Sequence, residues 1–212
     1  MNTKKTVLIA MLAAIAYIMV ALIRIPVVLF LSYEPKDVAV TIGGFLMGPM
    51  AALIISAVVS LIEMVTISQT GIIGCIMNLL STCSFACIAA VIYKKKHDLW
   101  GAVLGLLTGS VTMIAVMLLW NWLITPLYMG GTREAVEAML MPVFLPFNAL
   151  KAGLNSAFVL ALYKPLTTAL RKTRLLPESN SPKKQTKPGI YILAGLLLVT
   201  CVLWLLVLRG VI

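Results

Sequence analysis

The sequence predicts an all-α integral membrane protein: a bundle of six membrane-spanning segments followed by an additional C-terminal transmembrane helix. Three observations carry that expectation. Of 212 residues, 61% are apolar and only 11% are charged, with a mean hydropathy of +1.05. A soluble domain is about 45–50% apolar and about 25% charged. The apolar residues fall into seven stretches, over 6–31, 38–47, 50–67, 72–93, 100–125, 141–163 and 190–208. The basic residues collect between alternate stretches, as they do where positive charge fixes orientation in a membrane.

The stretches are justified in turn. The first is too long for a signal peptide and carries Arg24-Ile25-Pro26 near its end. No small-x-small cleavage site follows it, so it is expected to stay as one span. The second falls well short of the roughly 20 residues of a perpendicular span. Gly48-Pro49 separates it from the third, and it reads as a short or tilted helix. The third, fourth and fifth are of spanning length. The sixth begins with Pro142 and Pro146, which can open a helix entrance and free carbonyls toward a cavity. Pro177, Pro182 and Pro188 mark a solvated basic linker. The seventh stretch has no polar residue beyond Thr200 and reads as an appended anchor. The expected organisation is a membrane domain over 1–172, a cytoplasmic linker over 173–188 and an extra span within 189–212.

Charge sets the orientation. Lys4 and Lys5 precede the first stretch, Lys94–Lys96 follow the fourth, and Lys164, Arg171, Lys172, Arg174, Lys183, Lys184 and Lys187 follow the sixth. These 12 of the 17 basic residues share one side if segments one to six each cross. The N-terminus is then cytoplasmic. The opposite loops hold Glu34, Asp37, Glu134 and Glu137, with only Lys36 and Arg133.

Several function classes fall away. The net charge of +10 lies in short runs, with no basic face interleaved with aromatics, so nucleic-acid binding is not expected. Cys75, Cys83, Cys87 and Cys201 lie in apolar stretches without metal or redox spacing, and His97 has no metal partner in sequence. No Gly-x-x-x-x-Gly-Lys-Ser/Thr loop exists. Asp98 and Glu178 are the only cytoplasmic acids, which is poor provision for an integral-membrane enzyme, so no catalytic residue is expected. No ladder of carboxylates crosses the inner half, as a channel or proton relay would usually show.

The polar residues inside the apolar stretches carry the functional reading. They are Glu63, Asn78, Asn121, Asn148, Lys151 and Asn155. At about 1.5 Å per residue they sit roughly 6–21 Å below the outer ends of their helices. All but the deepest fall in the outer half of a core about 30 Å thick. Asn148, Lys151 and Asn155 share a helical face at i, i+3 and i+7. Glu63 continues a stripe with Ser56 and Ser60, and Asn78 pairs with Thr82 at i+4. A lysine at such depth needs an anionic or strongly accepting partner, with Glu63 or a solute group as candidates. Helix–helix glue is the alternative for any single asparagine. The convergence of four spans at one depth points instead to a polar pocket open to the outside. Trp120, Trp122, Tyr128 and Tyr33 suit an outer aromatic belt. Ala10, Ala13, Ala14 and Ala16 make a small-residue surface on the first span, for packing within the bundle or against a partner.

The residues also resemble a family. Met11-Leu-Ala-Ala-Ile-Ala-Tyr17, Leu31-Ser-Tyr-Glu-Pro-Lys-Asp37, Gly44-Phe-Leu-Met-Gly-Pro49, Gly74-Cys-Ile-Met-Asn78, Trp120-Asn-Trp122 and Pro146-Phe-Asn-Ala-Leu-Lys-Ala-Gly153 occur in an order and spacing similar to the substrate-binding S components of energy-coupling factor (ECF) vitamin transporters. The run Pro146–Gly153 is most similar to the riboflavin-specific members. The resemblance covers about residues 5–172. It implies a six-helix bundle with an outward pocket, and riboflavin as the transported ligand with no other cofactor. It also implies a bacterial plasma-membrane complex with a transmembrane coupling subunit and two ATPase subunits, and toppling in the bilayer to release the vitamin inside. By motif match, Asn121, Asn148 and Lys151 would hold the polar ring edge or ribityl chain, with Asn78 nearby, and Ala10 and Ala14 would face the coupling subunit. An S component for a different vitamin or a nucleobase-like solute is the alternative.

Overall fold

An alanine-rich apolar run makes Thr3–Leu22 a helix, α1. It stops before Arg24, and the first stretch does not continue as one span to residue 31. Instead Ile25–Val28 (β1) pairs antiparallel with Leu31–Tyr33 (β2). The cause is local: Pro26 drives the residue before it out of the helical region, and Ile25, Val27 and Val28 suit a pleated backbone. The structure is a computed structural model that describes residues 3–28, 31–68, 70–129, 132–172 and 189–208. The linker over 173–188 and Arg209 lie outside the described residues.

Helix α2 (Lys36–Met47) explains the short second stretch. Every residue from Lys36 to Phe45 is buried, against α1, α3 (Pro49–Thr66), α4 (Gly71–Lys95) and α7 (Leu145–Lys172). A helix sheathed by protein has no need of bilayer length. Close approach is allowed by Gly44, where a Cβ would lie 2.9 Å from the Ala90 Cβ and 3.1 Å from the Ala52 Cβ. The turn to α3 needs Gly48, whose φ of +95° favours glycine. Pro49 then occupies the first turn of α3, where its missing N–H costs nothing.

Helices α4 and α5 (Leu99–Met129) form the most extensive helix pair. Gly101, Gly105 and Gly109 recur every fourth residue on α5. A Cβ on Gly105 would stand 2.7 Å from the Ala89 carbonyl oxygen, and one on Gly109 2.5 Å from that of Phe85. Small residues therefore let the two backbones meet, as is common in membrane bundles.

The sixth span starts earlier than its apolar stretch. Thr132 caps α6 (Arg133–Met139) by accepting from the Ala135 N–H, a π-helical turn covers Leu140–Phe144, and α7 follows. The prolines do not break this entrance: Pro142 lies within the π turn, a form that often marks functional sites, and Pro146 lies in the first turn of α7. Helix α8 (Gly189–Leu208) packs along α7, so it is more than a detached anchor. Among the described residues five helices have the length and composition to cross a membrane, and α8 contributes a shorter apolar helix over Tyr191–Val207. The molecule is a multi-pass membrane protein.

Toward the end of the bundle that carries Lys94–Lys96, Phe45 stacks on Tyr93 at 4.4 Å and the Tyr93 and Tyr163 hydroxyls meet at 2.8 Å. Aromatic side chains thus pack together beside the C-terminal end of α2. Gly109→Leu should force α5 off the α4 backbone and lower stability by about 1–3 kcal/mol, as overpacking does. Thermal unfolding in detergent measures this, and an unchanged midpoint contradicts the close α4–α5 contact.

Candidate functional site

The first turn of α2 carries two charges into the bundle. Lys36 and Asp37 are 1% and 0% exposed, so they are not the outer-loop charges expected from sequence. Charges removed from water need partners with good geometry. The Lys36 ammonium donates to both Glu63 oxygens, at 2.8 and 2.6 Å, and lies 3.5 Å from Glu34. Glu34 in turn pairs with Arg24 at 3.2 Å. Asp37 accepts from the Thr82 hydroxyl at 2.7 Å and the Asn155 amide at 3.1 Å, and pairs with Lys151 at 3.3 Å. Lys151 also donates to the Ser81 hydroxyl at 3.4 Å, and the Asn78 amide donates to Glu63 at 2.8 Å.

Two expectations about partners change. Lys151 is answered by Asp37 and not by Glu63, because Lys36 and Asn78 already occupy the Glu63 carboxylate. Asn78 and Thr82 share a face of α4 but serve different acids. The formal charge of the whole network is zero, with Arg24, Lys36 and Lys151 set against Glu34, Asp37 and Glu63.

A cavity of about 210 Å³ opens beside this network. Glu63, Asn78, Asn121, Asn148 and Lys151 line it, joined by Ser81, Ser32 and Glu34, and by the apolar faces of Met77, Met117 and Phe147. Five of the six residues singled out in the sequence therefore meet at one cavity. Asn155 does not: it is fully buried off the lining, accepting from the Tyr33 hydroxyl at 3.0 Å while donating to Asp37. Its place on the Lys151 face of α7 does not bring it to the lining, because Asp37 and Tyr33 claim its amide. Tyr33 is likewise buried, not part of an interface belt.

Asn121 on α5 and Asn148 on α7 are held by their own helical segments. Asn121 donates to the Met117 carbonyl at 2.7 Å and accepts from Thr125, and Asn148 donates to the Phe144 carbonyl in the π turn at 2.7 Å. These bonds fix the side chains and leave donor and acceptor capacity for a solute. The indole of Trp122 donates to Glu137 at 2.7 Å with Arg133 over its ring, tying α5 to α6. On α1, Ala13 and Ala16 face the bundle, while Ala10 and Ala14 are exposed.

Sequence reasoning missed Lys36 and Asp37. The available signal was the shortness of the second stretch. A helix too short to cross must be enclosed, and charges at its first turn are then enclosed with it.

This arrangement defines a membrane-embedded solute-binding protein. The chain belongs to the ECF transporter, substrate-specific component family, whose model matches residues 4–163. It is 26% identical over 180 residues to the riboflavin transporter RibU of Staphylococcus aureus (strain TCH60), covering 81% of this chain and 94% of that one. It is 26% identical over 163 residues to the riboflavin transporter FmnP of Bacillus subtilis (strain 168), covering 71% and 85%. A solved structure described as the S component of a bacterial ECF transporter superposes with a TM-score of 0.68 at 27% identity, covering 81% of this chain and 99% of that one.

Asp37→Asn should strand the Lys151 ammonium and destabilise the protein by about 3–5 kcal/mol, as loss of one member of a buried pair does. The double variant Asp37→Leu/Lys151→Met should recover only part of that loss, because the Thr82 hydroxyl and the Asn155 amide lose their acceptor. Thermal unfolding of the three proteins checks it; equal midpoints for wild type and Asp37→Asn would show that the pair is not a structural support.

Proposed function

We propose that this chain is the riboflavin-capturing S component of an ECF-type importer. The single observation that carries the reading is the charge-balanced, amide-lined cavity. Riboflavin is uncharged, flat and rich in hydroxyl and ring hydrogen-bonding groups. A wall with zero formal charge avoids leaving an unmatched buried ion beside it. Met77, Met117 and Phe147 offer apolar faces for the ring, and Asn78, Asn121, Asn148 and Lys151 offer polar contacts for its edge or the ribityl chain. Lys151 acts as a hydrogen-bond donor, held in place by Asp37. Asn155 acts one step removed, through Asp37.

The basic residues support an orientation with the N-terminus in the cytoplasm and the cavity facing outward across a bacterial plasma membrane. The packed aromatic end supports a binder that needs a motor. The partners are a transmembrane coupling subunit, with exposed Ala10 and Ala14 on the surface toward it, and two ATPase subunits. Release then follows toppling of the loaded bundle.

The cavity volume favours a second reading. At about 210 Å³ it is below the roughly 300–1,000 Å³ of typical small-molecule sites, which suits a smaller vitamin or nucleobase-like solute unless the two-stranded arm shifts outward. Quenching of flavin fluorescence by the purified protein separates the two. Wild type should quench at stoichiometric riboflavin, and Asn148→Ala and Lys151→Ala should each weaken binding by about 1–3 kcal/mol. Unchanged affinity in both variants removes these residues from the site; an absence of quenching alongside binding of a smaller vitamin favours the second reading.

A further inference from the structure

Helix α8 lies beyond the residues that the family model matches, yet it packs along α7 and reaches the first strand. Ala194, Leu197, Leu198, Cys201 and Leu205 form its inward stripe at helical spacing, and all are buried or half-buried. Cys201 sits over Gly153 of α7, where a Cβ would come within 2.7 Å of its sulfur. The same apolar cluster holds Val27, Leu31 and Tyr33 of the two strands, and α8 touches β1 directly.

Those strands matter to the cavity. Leu31 and Ser32 form part of its wall. A two-stranded ribbon is marginal on its own, so its position is set by what it packs against. Tyr33 then passes that position inward: its hydroxyl holds Asn155, Asn155 holds Asp37, and Asp37 holds Lys151.

We propose that α8 is a buttress for the two-stranded arm, with Leu198, Cys201 and Leu205 as positioning residues that keep the arm over the cavity and slow the escape of bound solute. The retention half rests on the solute-binding reading above; the buttress half does not.

The test uses the full chain in nanodiscs. Leu198→Ala/Leu205→Ala removes inward packing, and Leu196→Ala/Val199→Ala changes the opposite, exposed face of the same helix. Amide hydrogen exchange without solute should be about tenfold faster at Ile25, Val27, Val28 and 31–33 in the inward variant, with α3–α5 unchanged, and unaltered in the outward variant. Riboflavin dissociation should also be about tenfold faster in the inward variant, with association little changed. Unchanged arm exchange, a rise spread over the whole bundle, or an equal rise in the outward variant would overturn the buttress. Faster arm exchange with unchanged dissociation would overturn its role in retention. If wild type binds no riboflavin, the solute reading fails while the exchange result still stands.

Discussion

The burial of Lys36 and Asp37 inside the bundle, each paired with a different neighbour, is the constraint on which the rest depends. Adjacent residues on a helix point about 100° apart and do not face each other. Each must therefore find its counter-charge on a different neighbour. Lys36 takes Glu63 from α3, and Asp37 takes Thr82 from α4 and Asn155 and Lys151 from α7. Two charges at one helical turn thereby fix four helices relative to one another. Apolar packing alone is forgiving of small slides between helices, whereas an unpaired ion in such a setting is expensive.

The same pairing shapes the cavity. Its ions are matched within the protein, so the solute need bring no charge to complete them. The hydrogen-bonding capacity left over on Asn78, Asn121, Asn148 and Lys151 is then available for recognition. Phe45, Tyr93 and Tyr163 pack ring against ring at the other end. Binding at one end and packing at the other suit a subunit that captures its cargo and relies on partners for the work of release.

Much of this was legible in the sequence because lipid imposes strong rules. Long apolar runs, and the meeting of Glu63, Asn78, Asn121, Asn148 and Lys151 at one cavity, follow from the cost of burying polar groups. Three features were not legible. The break at Arg24–Pro26 was masked because β-branched apolar residues satisfy both strand and span. Lys36 and Asp37 read as loop charges because solvent exposure is the default for adjacent ions, and only the enclosing helices reverse it. The Asn155 amide turns to Asp37 and Tyr33 because of tertiary partners, which periodicity does not encode. The spacing of Gly101, Gly105 and Gly109 was present in the sequence, but its meaning depends on the α4 backbone lying beside it.

The most direct measurement is the absorption spectrum of the protein purified from cells supplied with riboflavin, before any ligand is added. The account predicts flavin bands at close to one equivalent per chain, lost on unfolding. A colourless protein that also fails to take up flavin on addition would contradict it.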